Sequence, residues 1–137
     1  MVSDPTDGAL LGCLALTHKA VLLPSEGFSN TFRKKLERFA RPDPASGEYM
    51  ASAFLVAQLG KNYGLDNGTR ITGHELMSIV NDILVSIQHQ IGGGIVYLDC
   101  EDIDTLKRFY DTESFQKFGE RFSPEEDQQY IQYMRVL

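Results

Sequence analysis

Residues 72–87 leave the backbone little choice. Leu76, Ile79, Val80, Ile83, Leu84 and Ile87 recur at helical spacing, which lays them along one face of an α-helix. Thr72-Gly73-His74-Glu75 ahead of them is a capping box, so the helix starts near residue 73. An apolar run, Ala53-Phe54-Leu55-Val56-Ala57, leads through Lys61 into the turn-rich loop Gly64–Gly73 before the helix. Ile91-Gly92-Gly93-Gly94 ends the helix, and Ile95-Val96-Tyr97-Leu98 follows as a short β-branched and aromatic strand running into Asp99-Cys100. A helix between two apolar strands predicts a right-handed βαβ crossover with parallel strands. A strand, a glycine-bearing turn and a capped helix aim free N–H groups and a positive dipole end at an anion. We expect a diphosphate cradle there.

The remaining chain predicts one α/β (α+β) domain over residues 1–137, a mixed β-sheet flanked by helices. Ala9–Leu23 reads as one long or bent strand or as two short ones, with His18 at a strand edge rather than acting as a ligand. Phe28, Phe32, Leu36, Phe39 and Ala40 form the apolar side of a second helix capped by Ser29. Arg41–Gly47 is a loop. Asp102 is the expected cap of a third helix, Ile103 to about Asp111. Phe115–Arg121 and Tyr130–Val136 read as strands.

Charge narrows the partners. The net charge of −6 argues against a general nucleic-acid binder. Yet Arg33, Lys34, Lys35, Arg38 and Arg41 cluster against the single Glu37, which reads either as a phosphate-attracting patch or as a solvated helix face. No apolar run reaches the roughly 18 residues of a membrane span, and the start is too polar and acidic for a signal peptide. Cys13 and Cys100, with three scattered histidines, lack metal-site spacing. They read as small core residues in a reducing cytoplasm, and no metal is expected.

Taken together, these residues resemble the GNAT superfamily of N-acetyltransferases. The usual C-terminal signature there is Phe-Tyr followed a few residues later by Gly-Phe. Ile95-Val-Tyr-Leu-Asp-Cys-Glu-Asp-Ile-Asp-Thr-Leu-Lys-Arg-Phe-Tyr110 and Ser114-Phe115 fit it, with Ser114 where glycine is usual. The earlier signature, Arg/Gln-x-x-Gly-x-Gly/Ala before a helix, is degenerate: Gly73 and Gly68 match, while Ile71 replaces a glycine. The resemblance covers roughly Leu10–Leu137 and is closer over Ile95–Leu137 than over Ser52–Gln90. Family members place a strand, two helices and another strand before the segment matching Leu10–Leu23. Those elements are expected to be lacking here, which would leave the Leu10 strand at a sheet edge for a second subunit or an upstream segment to cover.

The resemblance implies acetyl-CoA as cofactor and an amine of unidentified identity as acceptor. It implies that the Ala53–Lys61 strand splays from Ile95–Cys100 and that the pantetheine arm enters the gap. Leu59, Gly60 and Lys61 would run along the arm. Gly68, Thr69, Arg70, Ile71, Thr72, Gly73 and His74 would surround the diphosphate, with Arg70 either touching a phosphate or serving as a plain loop arginine. Tyr110 would be the general acid to the CoA thiolate, being protonated at neutral pH; otherwise it is a core tyrosine. No general base stands out; Asp99 and Glu101 are either contacts to the acceptor amine or a solvated strand end. The expected function is a cytoplasmic, dimeric N-acetyltransferase. Two alternatives stand beside it: a toxin that acetylates aminoacyl-tRNA, with tRNA as the exception to the nucleic-acid exclusion, and a non-catalytic CoA-binding or protein-interaction domain.

Overall fold

The computed structural model describes residues 1–64 and 66–137, with Asn67 described by its backbone alone. Leu65, part of the expected loop, lies outside the described residues. The elements are β1 (Val2–Ser3), β2 (Leu10–Leu23), α1 (Asn30–Leu36), β3 (Ala40–Pro42), β4 (Tyr49–Lys61), a 3-10 turn (Asp66–Gly68), α2 (Gly73–Ile91), β5 (Ile95–Glu101), α3 (Asp104–Thr112), β6 (Gln116–Ser123) and β7 (Gln128–Val136). Seven strands make one sheet in the order β1-β2-β4-β5-β7-β6, with β3 paired to β4. All pairings are antiparallel except β4–β5. The fold is α+β: a mixed sheet flanked by helices. Among the described residues no helix is long and apolar enough to cross a membrane.

The capping box forms as its residues dictate. Glu75 N–H donates to Thr72 Oγ1 at 3.1 Å, and Thr72 N–H donates to the Glu75 carboxylate at 2.7 Å. The buried stripe of α2 is Leu76, Met77, Val80 and Leu84; Ile83, expected in it, is 37% exposed. Met77 takes its place because the stripe is turned toward Phe54, Val56, Val96 and Leu98 on one face of the sheet. The other face packs Phe32 and Leu36 of α1 against Leu23, Ala53, Ile95, Tyr97 and Met134. Full burial of one such side chain is worth roughly 1.5–3 kcal/mol, so each helix is held mainly by its sheet contact rather than by propensity.

Several expected boundaries move. Helix α1 stops at Leu36, and Ala40–Pro42, expected partly in a loop, form β3 against Tyr49–Ala51. Strand β4 therefore begins at Tyr49 rather than Ala53. Asp102 does not cap α3: its carboxylate takes Lys107 at 2.6 Å, and Ile103 holds the N-cap position with no side-chain hydrogen bond. Cys100 is buried as expected, but Cys13 is exposed, because its side of β2 faces an open cavity rather than the core. The Leu10 end of β2 is covered by Val2–Ser3. Beyond Gly12 the outer edge of β2 carries no strand among the described residues.

Candidate functional site

Strand β4 fills its β5-side edge unevenly. Tyr49–Ala51 pair with β3, and Phe54 and Leu55 pair with Val96 and Tyr97. From Val56 to Lys61 that edge has no strand partner among the described residues, although the opposite edge stays paired to β2 as far as Lys61. The divergence begins at a bulge. Leu16 opposes Val56 and Ala15 opposes Gln58, so Ala57 is the extra residue. A bulge bends its strand and ends local pairing. Backbone N–H and C=O groups between Val56 and Lys61 are thereby turned toward a gap, where they need partners.

The gap opens to both faces of the sheet. On the α2–α3 face lies a cavity of about 500 Å³ between Val56–Gly60 and Leu98–Glu101, closed on one side by Tyr110. A second cavity of about 330 Å³ continues it, sharing Leu59, Gly60, Leu106 and Tyr110, and runs to Gly73 at the mouth of α2. On the α1 face is a third cavity, about 510 Å³, which shares Val56, Ala57, Asp99 and Tyr130 with the first. Leu59, Gly60 and Lys61 all line this system. A side chain at Gly60 would meet nothing within 4 Å, so its backbone borders open space.

Tyr110 projects from α3 into the junction of the first two cavities. Phe115 and Tyr133 pack against its ring, with centroids 5.7 and 6.0 Å away. Its hydroxyl has no hydrogen-bond partner among the described residues. Burial pushes its pKa up to about 12, helped by the nearby Cys100, whose thiol burial raises to about 11. Both groups thus keep their protons at neutral pH.

The residues expected around a diphosphate are placed unequally. Gly73 and His74 open α2, and their N–H groups are free of intrachain partners among the described residues, as the first donors of a helix are. Gly73 packs so closely that a Cβ would come within 3.0 Å of the Phe109 ring. Thr72 N–H is taken by Glu75, and Thr69 N–H and its hydroxyl both donate to Asp66 C=O. Ile71 is buried in the core. Gly68 sits at φ +72° against the Tyr63 ring. The Arg70 guanidinium is engaged by Asp4 at 2.5 Å and Asp7 at 3.1 Å. The exposed His74 imidazole lies 2.7 Å from the buried Glu113 carboxylate, joining the start of α2 to the end of α3.

On the α1 face the cavity gathers residues not singled out from sequence. Arg121 Nε donates to Asp99 Oδ2 at 2.8 Å, and its guanidinium stacks on the Tyr130 ring at 5.0 Å. Tyr130 O–H donates to the Glu126 carboxylate, which is the first cause of its raised pKa. Asp99, an expected amine contact, is therefore already neutralised by Arg121. Glu101 lines the opposite cavity. Tyr130 lies near the start of an alternating strand and Glu126 in the turn before it, so the only sequence signal for either was their place at that strand end. Among the described residues no cluster of His, Cys, Asp and Glu could hold a metal ion.

No protein-family model matches the chain, and no curated protein matches it. A solved structure described as a bacterial toxin shares the fold with a TM-score of 0.61 and 16% sequence identity, over 98% of this chain and 64% of that chain. At that identity the likeness concerns the fold, and the present chain spans less than two thirds of the toxin's length.

Proposed function

We propose that the protein is an acetyl-CoA-dependent N-acetyltransferase of the GNAT type, acting on an amine that enters from the α1 face. The observation that carries this is the gap beside the Ala57 bulge, which joins a cavity on one face of the sheet to a cavity on the other. Two substrates could approach each other there from opposite sides and be held for reaction, which is a large part of what such catalysis needs.

The residues present fit an extended arm along β4: the unpaired backbone of Val56–Lys61 borders the cavity, and Gly60 leaves room beside it. They fit a diphosphate more sparingly, through the free N–H groups of Gly73 and His74 and the dipole of α2. Acetyl-CoA, when bound, would supply a thioester whose acetyl group a neutral amine can take, with the thiolate leaving and the nitrogen's surplus proton passing to solvent. The chain's own part is to hold and polarise. Backbone N–H groups of the open β4 edge donate toward developing negative charge. Tyr110 donates a hydrogen bond to a departing sulfur while keeping its own proton, because a phenol raised to about 12 is a weaker acid than an ordinary thiol. Titration calorimetry with acetyl-CoA, followed by thiol release with a panel of amines, tests this. Binding with amine-dependent release supports it, binding without release leaves a CoA-binding domain, and no binding removes the function.

One observation favours a narrower acceptor. Helix α1, with Arg33, Lys34, Lys35 and Arg38 on or beside it, packs on the same sheet face as the amine-side cavity. The fold likeness to a structure described as a bacterial toxin fits an aminoacyl-tRNA acceptor. Binding of tRNA that weakens steeply with salt supports this; no binding at low salt removes it.

A further inference from the structure

Strand β2 is bare along most of one side. Asn62 N–H donates to the Leu11 carbonyl at 2.8 Å, and backbone groups alternate sides along a strand. Odd-numbered residues of β2 therefore bond to β4, and even-numbered ones turn outward. Gly12 meets Val2 of β1, but Leu14, Leu16, His18, Ala20 and Leu22 have no strand partner on that side among the described residues. Exposed edges are usually blunted by charges or proline. Here Lys19 is the only charge between Leu10 and Leu23 at neutral pH, and the stretch has no proline.

Helix α2 flanks only half of this edge. Leu76 lies against Gly12, and Asn81 on the opposite flank takes Arg135 of β7, so Ile79, Ile83 and Ile87 are on the β2 side. Gly93, just past the helix, lies against Phe54, which pairs with His18. Beyond His18 that face of the sheet is open, and Leu22 and its neighbour Met50 are 48% and 50% exposed. The edge thus has a helix-flanked half and a bare apolar half.

We propose that this edge pairs with the same edge of a second copy of the chain, antiparallel about a two-fold axis at His18. His18 is the midpoint of the free stretch Cys13–Leu23, so this register pairs all of it. Leu14 then opposes Leu22 of the second copy, and Leu16 opposes its Ala20, which sets each bare half against a helix-flanked half. On the other face Lys19 opposes Thr17, so the two lysines do not meet head-on. Outward backbone groups meet outward backbone groups, and the orphaned N–H and C=O groups gain partners. The seam is about 37 Å long at roughly 3.4 Å per residue, and α2 deepens it by about 10 Å. That area is of the order of the roughly 800 Å² per partner that stable interfaces bury. The pairing uses none of the residues placed around acetyl-CoA, so it stands or falls apart from the transferase reading.

Sedimentation equilibrium of the full chain tests it. The wild type is expected to form a concentration-dependent dimer and nothing larger, because a two-fold pairing uses up the edge. At the axis the two His18 residues oppose each other directly, with Cα atoms about 5.5 Å apart. His18→Lys and His18→Glu, at an exposed position, each place like charges there and should raise the dimer Kd at least about tenfold. An equimolar mixture of the two should pair again. Ala20→Pro removes an outward N–H that the single chain does not use, so it should abolish the dimer and keep the wild-type circular dichroism. A monomeric wild type overturns the proposal and leaves the edge to a chain of different sequence. A dimer that survives Ala20→Pro uses another surface, and a histidine-variant mixture that stays monomeric excludes the register; either result overturns it. Should the proline variant misfold, the histidine pair decides alone.

Discussion

The backbone N–H of Phe115 donates to the carbonyl of Tyr110 at 3.0 Å, while Ser114 N–H donates to Asp111 at 3.1 Å. The pair closes α3 as a Schellman motif, which needs a left-handed residue just after the C-cap. Ser114 fills that place at φ +67°. The spacing from Tyr110 to Phe115 is therefore a helix stop that also fixes where Tyr110 points. A non-glycine residue in that region costs about 1–2 kcal/mol, partly offset by the greater chain entropy glycine loses. Ser114→Gly should raise stability by up to about 1 kcal/mol and the melting temperature by a few degrees. Denaturant and thermal unfolding measure it, and a lower midpoint would show that the serine is not strained.

Tyr110→Phe keeps the ring among Phe115 and Tyr133 and removes only the hydroxyl. Acetyl-CoA affinity should stay within a few-fold, while turnover drops by about 10²–10³, the usual cost of losing one hydrogen-bond donor to developing charge. The alkaline limb gives a second readout. In the unfolded chain a tyrosine titrates near 10, whereas burial holds Tyr110 near 12. The folded state keeps the proton more tightly, so this contribution to stability is full below about pH 10 and is lost as pH rises to about 12. Unfolding midpoints measured across that window should fall less for Tyr110→Phe than for the wild type. Parallel curves would mean that the hydroxyl is solvated.

The central crossover was readable because its signals are local. The Thr72–Glu75 box and the apolar period of α2 are properties of neighbouring residues, and the capping bonds form as written. The parallel β4–β5 pair followed from the crossover. What escaped notice depends on contacts distant in sequence. Ala57 looks like any residue of an apolar run until the register with Leu16 and Ala15 makes it a bulge. Arg70 reads equally as a phosphate contact or a plain loop arginine, and its pairing with Asp4, 66 residues away, has no local signal. Arg121 reaches Asp99 only because β5, β7 and β6 are neighbours in one sheet.

Gly60 offers a direct test of the groove. It lines both cavities of the α2–α3 face, and an added Cβ meets nothing within 4 Å. Valine suits an extended strand, so Gly60→Val should fold with a melting temperature near that of the wild type. Its side chain would occupy the path along β4. Acetyl-CoA binding by calorimetry should weaken by more than about tenfold. Gly12, paired to Lys61 across β2 and β4, supplies the contrast: a Cβ there would lie 2.6 Å from the Gly60 carbonyl oxygen, so Gly12→Ala should destabilise the sheet. If Gly60→Val binds as well as the wild type, the arm does not run along β4.

Arg70 separates a structural tether from a phosphate ligand. Its guanidinium bridges Asp4 and Asp7 and so holds the turn after β1 against the 3-10 turn. Hydrogen bonds from Thr6, and then from Arg70, hold the Asp4 carboxyl below the usual carboxylate range. A depressed folded pKa means that the contribution is present above the ordinary value of about 3.9 and is lost as pH falls through the lower, folded one. Arg70→Ala should therefore speed amide hydrogen exchange over Asp4–Gly8 at neutral pH, and the wild type should approach that faster pattern, corrected for intrinsic rates, only in acid. Acetyl-CoA affinity should change by less than about threefold, because a guanidinium already committed to two carboxylates adds little to an anion site. A tenfold loss of affinity with unchanged exchange would instead place Arg70 on a phosphate.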